Sequence, residues 1–271
     1  EDTRQLPIPV KLEPAVPGHW RWLGTHLLAF ESEKHFPFAT HYVVRIPAGT
    51  QSQLGGKLEQ EAQFAFSTPV LELTHSFPYS GDTHTNPDTV FLLYFNQNID
   101  PATLFPFVQV TSQGRSVPVR VLSRQEFEQN TFVKKHALTW KDNRTLALLP
   151  EKLEKNTPYI ITIKKGAPSA EGPRKTNVDQ VISFKTYGPF YVRQIFCDEH
   201  NSSCRPGYKW EMELSNPIRM DPKEIYKFIQ ISPSPKELDI NLSGMYGTIS
   251  ADFQPATRYT ITIDSNLKDE Y

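Results

Sequence analysis

Short strands following a repeated Thr-x-Tyr turn, prolines spaced along the whole length, and a duplicated Asp-Pro turn predict an all-β chain of tandem β-sandwich modules of the immunoglobulin/fibronectin type. Twenty-three prolines stand against 13 glycines in 271 residues. Proline removes a backbone donor and fixes φ, so it belongs at turns and strand ends and interrupts helices.

The Thr-x-Tyr turn occurs in Phe36-Pro-Phe-Ala-Thr40-His-Tyr42, Leu153-Glu-Lys-Asn-Thr157-Pro-Tyr159 and Phe253-Gln-Pro-Ala-Thr257-Arg-Tyr259. After each tyrosine, apolar residues alternate: Tyr42, Val44 and Ile46; Tyr159, Ile161 and Ile163; Tyr259, Ile261 and Ile263. A period of two marks a strand with one buried face. At a sandwich corner the ring fills the edge of the core and the hydroxyl bonds to backbone a few residues upstream, the tyrosine corner of immunoglobulin-like domains. Tyr42, Tyr159 and Tyr259 are therefore expected to be structural.

The first two copies stay in step. Gly49 and Gly55 follow Tyr42 at the spacing with which Gly166 and Gly172 follow Tyr159, and each is expected in a turn with positive φ. Both copies close with an alternating strand, Phe64-Ala-Phe66-Ser-Thr68 and Ile182-Ser-Phe184-Lys-Thr186. A second repeat aligns Phe95-Asn-Gln-Asn-Ile99-Asp100-Pro101 with Leu214-Ser-Asn-Pro-Ile218-Arg-Met-Asp221-Pro222, with the next apolar residues at identical spacing. Each Asp-Pro is read as a turn between strands. Neither Asp100 nor Asp221 has the dense Asp/Asn/Gly series of a calcium loop.

These repeats predict three modules: 1–69, a partial one lacking its N-terminal strands; 70–187, a complete one; and 188–271, one cut short before its last strand. The sequence thus reads as a piece of a longer array. Gln125 to His136 is extra sequence in the middle module and is expected to be a polar loop.

Charge excludes some functions. Twenty-nine basic against 30 acidic residues give a net charge of -1, which offers no electrostatic basis for capturing nucleic acid. No run of eighteen apolar residues is present, so no membrane span is expected. The polar N-terminus has no apolar signal-peptide core.

Cys197 and Cys204 enclose a short polar loop and read as a disulfide staple worth about 2.5 kcal/mol in the chain-entropy model, which would place the chain in an oxidising compartment. Two unrelated thiols are the alternative; zinc would need more ligands than His200 supplies. The eight histidines include no metalloprotease-helix pair, and no Gly-x-Ser-x-Gly, phosphate-binding loop or dinucleotide fingerprint is present. No catalytic residue, metal or cofactor is expected, and histidines on polar strand faces should be solvated. Trp20, Trp22 and Trp140 precede the corner strands and are expected in cores, a sugar-stacking platform being the alternative. Asn143-Arg-Thr145, Asn201-Ser-Ser203 and Asn241-Leu-Ser243 match the glycosylation acceptor pattern.

The stretch Leu12-Glu-Pro14-Ala-Val-Pro17-Gly18-His-Trp20-Arg-Trp22-Leu-Gly24-Thr25, with Leu28-Ala-Phe30, Phe36 to Tyr42 and Ile46-Pro-Ala-Gly49-Thr50, resembles the N-terminal macroglobulin-like region of bacterial alpha-2-macroglobulins. The Asn-Pro-Ile and Asp-Pro turns and the entry Cys197-x6-Cys204-x-Pro-Gly are similar to it too. The resemblance implies a scaffold segment of a broad-spectrum endopeptidase inhibitor of the cell envelope, periplasmic or extracellular. Its partners would be the remainder of its own longer chain and, through the full-length protein, target proteases. Family members trap proteases after bait cleavage, many through a Cys-x-Glu-Gln thioester. Cys197 begins Cys-Asp-Glu-His and Cys204 begins Cys-Arg-Pro-Gly, so no thioester residue carries over. The alternative is a generic bacterial Ig-like surface or adhesin array; a polysaccharide-binding accessory module is a third reading.

Overall fold

Strands with only short helical segments build the chain over the residues that the computed structural model describes, 8–52, 54–136, 138–197, 204 and 207–270. They gather in two compact units, one of Glu1–Ser80, Val90–Glu151 and Ile160–Ser183, the other of Gly81–Thr89, Lys152–Tyr159 and Phe184–Tyr271.

The first unit opens with β1 (Lys11–Glu13), the hairpin β2 (Gly18–Trp22) and β3 (Leu28–Ser32), then β4 (His41–Ile46) and β5 (Ala62–Ser67). The strand after Tyr42 is central in the order β1-β4-β5, with Tyr42 opposite Phe66 and Val44 opposite Phe64. An unbroken series of ring contacts, Trp20–Phe30–Phe36–Tyr42–Phe66, links the hairpin to this sheet. Offset and edge-on aromatic pairs of this kind add about 0.5–1.5 kcal/mol each beyond area burial.

Two four-stranded sheets follow. One is ordered β10-β11-β7-β6, from β6 (Leu73–Phe77), β7 (Phe91–Phe95), β10 (Val119–Val121) and β11 (Thr145–Pro150). The other is β13-β12-β8-β9, from β8 (Val108–Ser112), β9 (Arg115–Ser116), β12 (Pro158–Ile163) and β13 (Gln180–Lys185). In β12 the predicted alternation is realised: Tyr159, Ile161 and Ile163 are buried. β7 instead reads Phe-Leu-Leu-Tyr-Phe with no polar alternate, and four of its five residues are buried. A continuous apolar run suits a strand covered on both faces.

The second cover is the segment expected to be a polar loop. It folds as α2 (Arg124–Gln129) and α3 (Thr131–Lys135). Their Phe127, Phe132 and Val133 join Leu92 of β7 and Ala147 of β11 in one buried cluster, with Trp140 packed on it. The apolar residues are sparse in sequence but fall on one side once helical, which is why a linear reading took them for loop. Ser123 caps α2 by accepting from Glu126 N at 3.2 Å, while the Glu126 carboxylate accepts from Ser123 N at 2.9 Å, a capping box. Asn130 caps α3 by accepting from Val133 N.

The Asp-Pro turns form as expected, with a helical turn after each. Asp100 caps α1 (Pro101–Leu104) by accepting from Ala102 N at 3.2 Å, and Asp221 accepts from Lys223 N at 2.9 Å.

The second unit carries the sheet β14-β15-β17, from β14 (Val192–Phe196), β15 (Trp210–Ile218) and β17 (Lys236–Asp252), and the pair β16 (Ile229–Ser232) and β18 (Thr260–Ile263). Met212, Leu214, Ile231, Ile240 and Ile249 are among its core residues. Trp210 stacks on Phe253 with centroids 3.9 Å apart, and both meet the Tyr259 ring edge-on.

Phe127→Ala should cost about 3–5 kcal/mol in denaturant unfolding, the usual penalty for emptying a core aromatic site; a loop residue would cost under about 0.5 kcal/mol. Glu126 titrates at about 2, not 4.5, because the Ser123 backbone N–H and hydroxyl, then Arg120, favour its charged form. A depressed carboxylate stabilises the fold above its unfolded pKa and loses that contribution as pH falls through the folded value. Acid titration from pH 4.5 to about 2 should therefore destabilise the native chain more than Glu126→Gln.

Candidate functional site: a latch repeated after two strands

The three Thr-x-Tyr segments share their backbone. Ala39, Asn156 and Ala256, each just before the corner threonine, have φ of 52°, 54° and 55°. This left-handed step turns the chain so that each threonine hydroxyl donates to the carbonyl two residues back: Thr40 to Phe38, Thr157 to Lys155 and Thr257 to Pro255. Each tyrosine hydroxyl meets backbone five residues upstream. Tyr42 donates to Pro37 O at 3.4 Å, whereas Tyr159 and Tyr259 accept from Glu154 N at 2.7 Å and Gln254 N at 2.9 Å. Burial holds the Tyr159 phenol above its ordinary pKa, against the bond from Glu154 N.

The chain following each closing strand is clasped to its corner. Thr68 Oγ1 accepts from Thr40 N and donates to Pro37 O, and Thr186 Oγ1 accepts from Thr157 N and donates to Glu154 O. The next backbone carbonyl then takes the N–H of the left-handed residue: Ala39 N donates to Pro69 O at 2.7 Å and Asn156 N to Tyr187 O at 2.8 Å.

Beyond these clasps lies a second set of bonds, also duplicated, which we call the latch. In the first unit Asn96 Nδ2 donates to Val70 O and Gln97 Nε2 to Pro69 O, while Ser169 donates to Gln97 Oε1 at 2.6 Å. In the second unit Ser215 donates to Pro189 O, and Asn216 Nδ2 donates to both Gly188 O and the Asp269 carboxylate at 2.8 and 2.6 Å. Ser169 stands ten residues after Tyr159, and Asp269 ten after Tyr259. The backbone bond beside each also repeats, Ala170 N to Asn98 O and Glu270 N to Pro217 O. So do the reciprocal pairs, Glu72 N to Asn96 Oδ1 with Asn96 N to Glu72 O, and Tyr191 N to Ser215 Oγ with Ser215 N to Tyr191 O.

Local geometry makes the second latch possible. β15 pairs Glu213 with Tyr246 but then Ile218 with Gly244, so Leu214 to Pro217 drop out of the pairing with β17. Neighbouring residues of a regular strand face opposite ways; a bulge re-aims them, and Ser215 and Asn216 are both buried. The stretch after the second clasp is one residue longer than the stretch after the first. Pro69 O serves both Ala39 N and Gln97 Nε2, whereas Tyr187 O and Gly188 O divide those two duties.

The first corner is held from a further side. Glu171 accepts from Asn98 N and Phe38 N, Arg174 N donates to Ala39 O, and the Arg174 guanidinium donates to Thr68 O at 2.6 Å. Gly172 does not have the positive φ expected for it; Gly49, Gly55 and Gly166 do. Its role is close approach, since a Cβ there would lie within 3 Å of Phe38 O and Ala39 O.

Cys197 and Cys204 are disulfide-bonded, with Cα atoms 5.2 Å apart; His200 and Asn201-Ser-Ser203 lie outside the described residues. Among the described residues no three His, Cys, Asp or Glu side chains are placed to hold a metal, and no helix is long and apolar enough to cross a membrane. Not every histidine is simply solvated: His136 stacks on Phe132, and His84 Nε2 lies 3.2 Å from Ser215 O beside the second latch. Thr145 of the Asn143 pattern is buried with its hydroxyl bonded to Lys141 O. Sequence reasoning passed over Asn96, Gln97, Ser215 and Asn216 although they stand aligned in the Asp-Pro repeat. Paired polar residues immediately after an apolar strand were the available signal.

Residues 69–186 match the family profile of a bacterial Ig-like domain. The whole chain is similar to an alpha-2-macroglobulin homolog of Nostoc sp., 24% identical over 296 aligned residues, and is consistent with macroglobulin-like modules. A circularly permutated Ras protein of Dictyostelium discoideum is 27% identical over 168 residues, 60% of this chain. The chain spans 15% of the length of the first relative and 4% of the second.

Asn216→Ala leaves Gly188 O and the Asp269 carboxylate without their shared donor. Hydrogen bonds to charged groups contribute about 1.5–3 kcal/mol net, so unfolding of the second unit should weaken by about 2–3 kcal/mol in denaturant titration. Exposed Lys268→Ala should stay within about 0.5 kcal/mol.

Proposed function

We propose that this chain is a non-enzymatic scaffold segment of a macroglobulin-like endopeptidase inhibitor, a protease trap, contributing neither bait nor thioester. Likeness to the Nostoc macroglobulin homolog over the whole chain supports this reading. The duplicated latch supplies its physical side: linker backbone and module side chains are bonded in the same way twice, as a scaffold that must hold later regions in position requires. The modules would be 1–69, 70–187 and 188–271, the tyrosines at 42, 159 and 259 their corners. The remainder of a longer polypeptide is the direct partner, and proteases are met only through it.

The Cys197–Cys204 bond is proposed as a structural staple, which suits a periplasmic or extracellular setting where disulfides persist.

The natural polypeptide containing these residues should be mixed with a serine, a cysteine and a metallo-endopeptidase. A trapped protease loses activity on a large protein substrate yet still cleaves a small peptide substrate. The 271-residue chain alone should change neither activity. Unaltered cleavage of the large substrate by all three enzymes in the presence of the full polypeptide would sink the proposal.

A further inference from the structure

We propose that the outer face of the β14-β15-β17 sheet is a binding groove for a neutral oligosaccharide. The groove encloses about 640 Å³, within the range of small-ligand sites. Pairing registers arrange its lining in two rows. Phe196, Glu211 and Thr248 lie side by side across the three strands, and so do Gln194, Glu213 and Tyr246. Each row therefore offers one aromatic ring, one carboxylate and a hydroxyl or amide.

β17 contributes more than a regular strand would. Ile240 and Leu242 face the core before Gly244, while Ile249 faces it after, so the inward parity changes from even to odd. Gly244, at φ 61°, lies at the register shift with β15 and takes up the change. Leu242 then covers Gly247 so closely that a Cβ there would meet its side chain within 3 Å. As a result Asn241 and Ser243, ahead of the shift, line the same groove as Tyr246 and Thr248 beyond it. Bulges that re-aim side chains are concentrated at functional sites.

The chemistry selects the ligand class. β15, the middle strand beneath the groove, is paired on both sides, with β14 and β17, so over it only side chains address a ligand. A pyranose ring presents an apolar C–H face and a rim of hydroxyls that donate and accept. The exposed ring of Tyr246, 63% accessible, suits the first, since an aromatic side chain combines a large apolar face with a polar tip. The carboxylates and the Asn241 and Gln194 amides suit the second. Glu213 is held in place by Arg193 at 2.9 Å and Gln194 at 3.0 Å, so its position is set before a ligand arrives. Arg193 pairs with Glu213, so Glu211 is the carboxylate that disfavours uronates and sugar phosphates here.

The 271-residue chain should be titrated with chitohexaose and cellohexaose by NMR or calorimetry, with hexagalacturonate and hexalysine as comparators. At least one neutral hexasaccharide should bind with a Kd of about 1 mM or tighter, and Tyr246→Ala should weaken it about tenfold. Glu211→Gln should weaken it in the same direction, and both variants should keep the native unfolding midpoint because the two side chains are exposed. No binding of either neutral sugar at about 10 mM, or unchanged binding by Tyr246→Ala, overturns the proposal. Binding of hexalysine in place of the sugars also overturns it and assigns the groove to cationic peptides.

Discussion

Buried side-chain amides, each needing partners, are the constraint on which both latches depend. An unmet buried polar group costs about 1–3 kcal/mol, a large share of the stability of a small domain. The amides of Gln97, 0% exposed, and Asn216, 2% exposed, find their acceptors in the backbone carbonyls that follow each closing strand. Each amide is oriented from behind by the residue ten places after a corner tyrosine, Ser169 or Asp269. Linker, post-strand amide and post-corner loop thus form one hydrogen-bonded system. The extra residue of the second linker is absorbed by dividing one acceptor's work between two carbonyls.

Strand parity is the second theme. The bulge in β15 presents two consecutive polar side chains to the linker. The shift at Gly244 of β17 brings residues of both parities to the outer face of the same sheet. Departures from regular pairing are thus where this sheet acquires its specific chemistry, while the regular stretches supply the core.

The first two Thr-x-Tyr repeats illustrate how equivalent residues diverge. Ile182 and Phe184 are 1% and 4% exposed, yet their counterparts Phe64 and Phe66 are 62% and 42% exposed. Phe66 is held on one side by Tyr42 and Phe36, but its strand lacks the cover that buries β13. The sheet holding β7 and β11, by contrast, gains a further layer, because α2 and α3 cover its outer side.

The sequence by itself determined the all-β class, the strands that follow each Thr-x-Tyr and the Asp-Pro turns. All of these rest on local spacing: alternation fixes a strand's buried face, and Thr-x-Tyr and Asp-Pro act within a few residues of chain. Tertiary structure alone decided that Gln125 to His136 is a helical cover, that Gly172 is needed for close approach and not for φ, and that Asn96, Gln97, Ser215 and Asn216 hold the linkers. A buried amide and an exposed one are the same letter in a sequence. Which it becomes depends on carbonyls brought beside it from far along the chain, at a bulge whose place is fixed by the partner strand.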